Sequence, residues 1–140
     1  MPAHVTVLFP FIPRTAIDEA VREAVQAIAA RTGPFDYTLA EIRWFGAEVV
    51  YLAPDPDRVF LELTAAVWGA FPDHPPYEGA HDDPIPHVTI GHTGSGDLGL
   101  AVEAIAPSPP IEATADRMDL IELVGDRWRT AESFALGVSP

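Results

Sequence analysis

Apolar residues recur at two spacings along this chain, and the switches between them mark its elements. Residues 4–9 (His-Val-Thr-Val-Leu-Phe) form a β-branched, apolar run that predicts a buried strand, stopped by Pro10 and Pro13. Ile17, Val21, Ala24, Val25 and Ile28 then follow at helical spacing. Thr15 is expected as the N-cap, Asp18 and Glu19 fall in the first turn, and Gly33-Pro34 stops the helix. Residues 36–53 predict a hairpin: Tyr37, Leu39 and Ile42 lead to about Phe45, the chain turns at Gly46, and Glu48 to Ala53 returns. Asp55-Pro56 opens a second helix to about Phe71, with Val59, Phe60, Leu63 and Val67 on its inner side.

Residues 72–86 hold five prolines, two histidines and three aspartates, which predicts a loop. A strand at 87–92, a turn at Gly94-Ser95-Gly96 and a short helix over about 97–106 come next. Pro107, Pro109 and Pro110 break the chain again, and strands are expected at 111–115, 117–124 and 128–136, the last two joined at Gly125-Asp126. The order predicts an α+β chain of two similar halves with largely antiparallel sheets.

A length of 140 residues suits a single domain covering 1–140, or two small lobes packed intimately together. No stretch approaches the roughly 18 apolar residues of a membrane helix, and the N-terminus carries no secretory signal pattern, so a cytoplasmic location and no membrane partner are expected. With no cysteine, disulfides, thiolate nucleophiles and zinc–cysteine sites are excluded. The net charge of −13 disfavours long nucleic acid. All eight basic residues are arginine, and a few arginines suffice to hold a small phosphate through forked hydrogen bonds. The absence of lysine and of a G-x-x-x-x-G-K-[ST] loop excludes Schiff-base chemistry and the common ATP site.

The candidate chemistry lies in a repeat: His4-Val5-Thr6-Val7 returns as His87-Val88-Thr89-Ile90. Strand side chains alternate faces, so each copy sets an imidazole and a hydroxyl on one face. A lone histidine on an apolar strand is most often a hydrogen-bonded core residue. With five histidines and nine threonines, chance supplies about 0.3 His-x-Thr matches, and two copies sharing the middle valine are far rarer. Two such strands side by side suit phosphodiester cleavage. A neutral imidazole takes a proton from the attacking water or hydroxyl, a protonated one donates to the leaving oxygen, and the rate follows a bell-shaped pH profile. The hydroxyls donate to the non-bridging phosphate oxygens as charge grows there.

These two tetrapeptides resemble the paired H-x-[TS]-φ motifs of the 2H phosphoesterase superfamily, which includes the 2′-5′ RNA ligase-like proteins and the 2′,3′-cyclic nucleotide phosphodiesterases. The flanks Pro2-Ala3, Leu8-Phe9-Pro10-Phe11 and Pro86 fit as well. The resemblance implies a bilobal α+β fold: two pseudo-twofold-related antiparallel sheets, helices packed outside, and a central cleft lined by the motif strands. It implies that His4 and His87 are the catalytic acid and base, in an order left open, and that Thr6 and Thr89 are the phosphate-oxygen donors. The implied reaction opens a 2′,3′-cyclic phosphate on a nucleotide or RNA end, with no cofactor, metal or ATP, and its reversal would join RNA ends through a 2′-5′ bond. Members of that family usually carry a strand before the first motif. Here three residues precede His4, so the His4 half is expected to be the less firmly held.

Tyr77 is a candidate to stack on a base or reach the phosphate. Phe9, Phe11 and Phe45 are candidates for a base-stacking wall, and Arg43, Arg127 and Arg129 for positive charge at the cleft mouth. Surface tyrosine, core phenylalanine and solvated arginine are the ordinary roles of these residue types. His81, Asp82, Asp83, His87 and His92 pose a metal-dependent hydrolase as a rival, although the spacing sets His87 and His92 on opposite faces of a straight strand. His74 and His81 are expected to be exposed in the loop. A non-catalytic module binding a nucleotide or RNA end is the other rival. The expected partner is a small nucleotide cyclic phosphate or an RNA terminus, and the expected state is a monomer.

Overall fold

The computed structural model describes residues 3–79, 84–93 and 96–138. Its elements run α1 (Glu19–Arg31), β1 (Phe35–Phe45), β2 (Val49–Asp55), α2 (Arg58–Ala70), β3 (Val88–His92), α3 (Leu98–Ile105), β4 (Ile111–Ala115), β5 (Arg117–Val124) and β6 (Arg127–Ala135). One sheet has four antiparallel strands in the order β3-β2-β1-β4, and β5 and β6 form a separate antiparallel ribbon. Among the described residues the chain is thus α+β, as expected, with two antiparallel sheets and three α-helices.

The β1–β2 hairpin turns at Gly46, whose φ of 57° is the left-handed conformation glycine adopts without steric cost. Two one-residue bulges shape the larger sheet. β1 shifts register between Leu39 and Glu41, and β3 shifts at Ile90, so that Val50 faces Gly91 while Tyr51 faces Thr89. The first keeps Leu39 and Ile42 on one apolar face. The second changes which side chains of β3 share a face.

That apolar face is one of three core clusters: Leu39, Leu52 and Val88, joined by Val5, Ile90 and Ile105. A second cluster packs α1 against β6 through Val25, Ala29, Phe134 and Leu136, and a third packs α1 against α2 through Ile28, Leu63 and Val67. Phe11, Phe35, Phe71 and Met118 touch both of these helical clusters and knit them together. Each such side chain taken out of water stabilises the fold by about 1.5–3 kcal/mol.

Two expected local structures differ. Residues 4–9 belong to no strand: the segment lies outside any ladder, bends at Val7 and Phe9, and its side chains are half-buried or exposed. It is held by other means. The Thr64 hydroxyl of α2 lies 2.7 Å from the Val7 carbonyl and 3.1 Å from the Phe60 carbonyl one turn back; its single proton favours the shorter contact. The Tyr77 N–H donates to the Phe9 carbonyl at 2.6 Å. The first helix is also capped later than expected. Asp18 accepts the Val21 N–H at 3.0 Å, while Thr15 lies in a 3₁₀ turn over Arg14–Ala16. Burial of Ile17, extended between the two, separates turn from helix.

Candidate active site

The second motif is built by β3 and its neighbour β2. Val88 is buried opposite Leu52, which turns Thr89 to the other face, where it is exposed opposite Tyr51. His87 stands just before the strand. Its Nδ1 lies 2.6 Å from the Ile85 carbonyl. A carbonyl only accepts, so Nδ1 carries the hydrogen, and Nε2 is the atom left to take or give a proton. The imidazole stands edge-on to Phe45 (centroids 5.1 Å apart) and to Tyr51 (5.5 Å), whose rings stack on each other at 4.2 Å.

Arg43 is the partner of Tyr51 on the other side, so Arg43, Tyr51 and Thr89 form one row across β1, β2 and β3. Its guanidinium Nε donates to the Glu41 carboxylate at 2.8 Å, and this bond, with the charge of Glu41, raises the arginine's pKa further. Phe45, one of the sequence candidates, therefore sits beside His87, and Arg43, another, lies in the same cross-strand row as Thr89. His92 joins the same face. The bulge at Ile90 sets it opposite Val49, and Val49 lies on the Tyr51 side of β2. The expectation of opposite faces is corrected here, because it assumed a straight strand. The rest of the metal-ligand cluster, His81 to Asp83, lies outside the described residues.

The first motif lines a cavity of about 750 Å³ between residues 3–12 and β5. His4 is exposed and Thr6 half-buried on its wall. Val5 packs against the cluster containing Val88, so the middle valines of the two motifs share one apolar core. Thr6, Phe9 and Tyr77 also border a small crevice with Ile85 and Pro86, the residues leading into His87. Tyr77 is half-buried there with a positive φ of 51°, a conformation costing about 1–2 kcal/mol for a non-glycine residue. Burial pushes its phenol pKa up. Phe9 stays exposed, edge-on to Trp128 at 5.9 Å. Phe11 turns inward, against Phe71 at 5.2 Å and His74 at 6.2 Å, so His74 is half-buried. Arg129 pairs with Glu122 at 2.7 Å, as does Arg14 at 3.1 Å.

Tyr51 and Glu41 were not singled out from the sequence. Tyr51 lies in a run, Val49 to Pro54, that is buried on both faces except for its half-buried first residue, so no alternation marks it as facing a site. The signal was positional: it requires the cross-strand register that puts Tyr51 between Arg43 and Thr89.

An α+β fold with two antiparallel sheets and paired His-x-Thr segments defines a 2H-type phosphoesterase class. The model of the 2′-5′ RNA ligase superfamily matches residues 1–127, and the chain belongs to that family. It is 24% identical over 143 residues to a Geobacillus kaustophilus protein named "Putative phosphoesterase", covering 98% of this chain and 80% of that one. Among solved structures it resembles a Thermus thermophilus protein with a TM-score of 0.67 (18% identity, 96% of this chain and 78% of that chain). It also resembles Escherichia coli LigT, crystallised with NADP+, with a TM-score of 0.59 (18% identity, 97% and 77%). Family and relative indicate a phosphoesterase. No helix among the described residues is long and apolar enough to cross a membrane.

Proposed function

We propose that the protein is a metal-independent phosphodiesterase that opens 2′,3′-cyclic phosphates of nucleotides or RNA ends, with His4 and His87 as the acid–base pair. The observation that carries this reading is the set of groups around His87. Its Nδ1 is committed to Ile85, its Nε2 is free to exchange a proton, and Thr89 lies two residues on. One histidine takes a proton from water as the water oxygen bonds to phosphorus. The other gives a proton to the ribose oxygen whose bond to phosphorus breaks. Thr6 and Thr89 donate to the non-bridging oxygens, where preorganised donors act most strongly. Arg43 adds positive charge along the same row. With an RNA 5′-hydroxyl in place of water, the same steps give 2′-5′ joining without ATP: the 5′ oxygen bonds to phosphorus as the bond to the ribose 3′ oxygen breaks. The acidic surface favours a small substrate, a nucleotide or an RNA terminus, and a monomer suffices for these groups.

Hydrolysis of a 2′,3′-cyclic mononucleotide, followed with and without EDTA, tests the reading. Turnover unaffected by the chelator is expected. Turnover abolished by EDTA would point to the metal-dependent rival, and tight binding of the cyclic nucleotide with no product would point to a binding module.

A further inference from the structure

Tyr51 is the side chain on which the second half of the site converges. It is only 4% exposed although it sits on the face carrying Thr89. Its ring lies on Phe45 at an interplanar angle of 22°, and both rings meet the His87 imidazole edge-on, at interplanar angles of 83° for Phe45 and 65° for Tyr51. Arg43 is its cross-strand partner on β1, and the Arg43 guanidinium is tethered to Glu41.

We infer that Tyr51 is a positioning residue: its ring, stacked on Phe45, fixes the plane of the His87 imidazole for proton transfer. This rests on the role given above to His87. The hydrogen bond from Nδ1 to Ile85 leaves the ring free to pivot about that bond; two rings against it remove the freedom. Proton transfer is sensitive to such a pivot, because donor and acceptor must stay aligned within a few tenths of an ångström.

Two variants separate ring from hydroxyl. Tyr51→Phe keeps the ring, and should leave both the His87 ring resonances in ¹H–¹⁵N spectra and kcat for a 2′,3′-cyclic nucleotide close to those of the parent. Tyr51→Leu removes the ring. His87 should then lose the ring-current displacement of its carbon-bound protons, and kcat should fall about 10–100-fold below that of Tyr51→Phe. If Tyr51→Leu does not fold, Phe45→Leu, at the half-buried member of the stack, gives the same readout of the His87 ring. The inference is overturned if His87 resonances are unmoved in the leucine variants, or if Tyr51→Phe loses as much kcat as Tyr51→Leu. A parent protein without turnover would defeat the phosphodiesterase reading; the ring assignment would then stand or fall on the spectra.

Discussion

The two His-Val-Thr copies are nearly the same peptide on two different backbones. The second is laddered to β2, bulged at Ile90, and walled by Phe45 and Tyr51. The first has no ladder. It is tied by its carbonyls at Val7 and Phe9 to Thr64 and Tyr77, and by its apolar side chains to the cores beneath. Five β-branched or apolar positions in a row (Val5 to Phe9) therefore do not make a strand by themselves. A strand needs an in-register neighbour about 4.8 Å away, and β2 supplies one for Val88 while residues 4–9 face a cavity. The proposed chemistry needs only that the imidazole and hydroxyl of each copy be presented, and the two motifs are held by different restraints.

The largest effect expected from breaking this comparison is on rate. His87→Ala and His4→Ala should each lose roughly 10²–10⁴-fold in cyclic nucleotide hydrolysis. Losses of similar size mean that the motifs act as a pair despite their backbones; a His4→Ala variant with near-normal turnover would make the site one-sided. In the shared core, Leu52→Ala, beneath Val88 and 3% exposed, should cost about 2–5 kcal/mol. Urea denaturation measures it, and a cost under 1 kcal/mol would show that this cluster does not support the motifs.

Thr64→Val reaches the first copy alone. It keeps shape but leaves the Val7 carbonyl short of its donor, at about 1–3 kcal/mol. Hydrogen exchange should quicken over residues 5–9 and stay unchanged in β3; equal quickening in both would refute separate anchoring. The smallest effect concerns the ribbon facing the first motif. Glu122 is held below its ordinary pKa of 4.5, first by its hydrogen bond from Arg129 and then by the charges of Arg129 and Arg14. A depressed carboxylate contributes stability that is present above pH 4.5 and lost as pH falls through the lower folded value. Glu122→Gln should therefore flatten the acid end of the stability–pH curve and leave β3 untouched. An unchanged acid limb would show the pairing to be without consequence, as many exposed ion pairs are.

Much of the molecule was legible in the amino-acid order. The hairpin turning at Gly46, the helix spans and the last three strands follow from periodicity and from glycine and proline, which act over a few residues. So did the repeated motif, because chance alone does not repeat it. Tertiary structure alone decided what depends on neighbours distant in sequence. It left residues 4–9 out of a ladder, carried His92 round to the face of Thr89 through one extra residue, turned Phe11 into the core, and set Tyr51 under His87. Each is a matter of register or of a partner tens of residues away, and a local pattern of side chains carries no record of which strand will come to lie beside it.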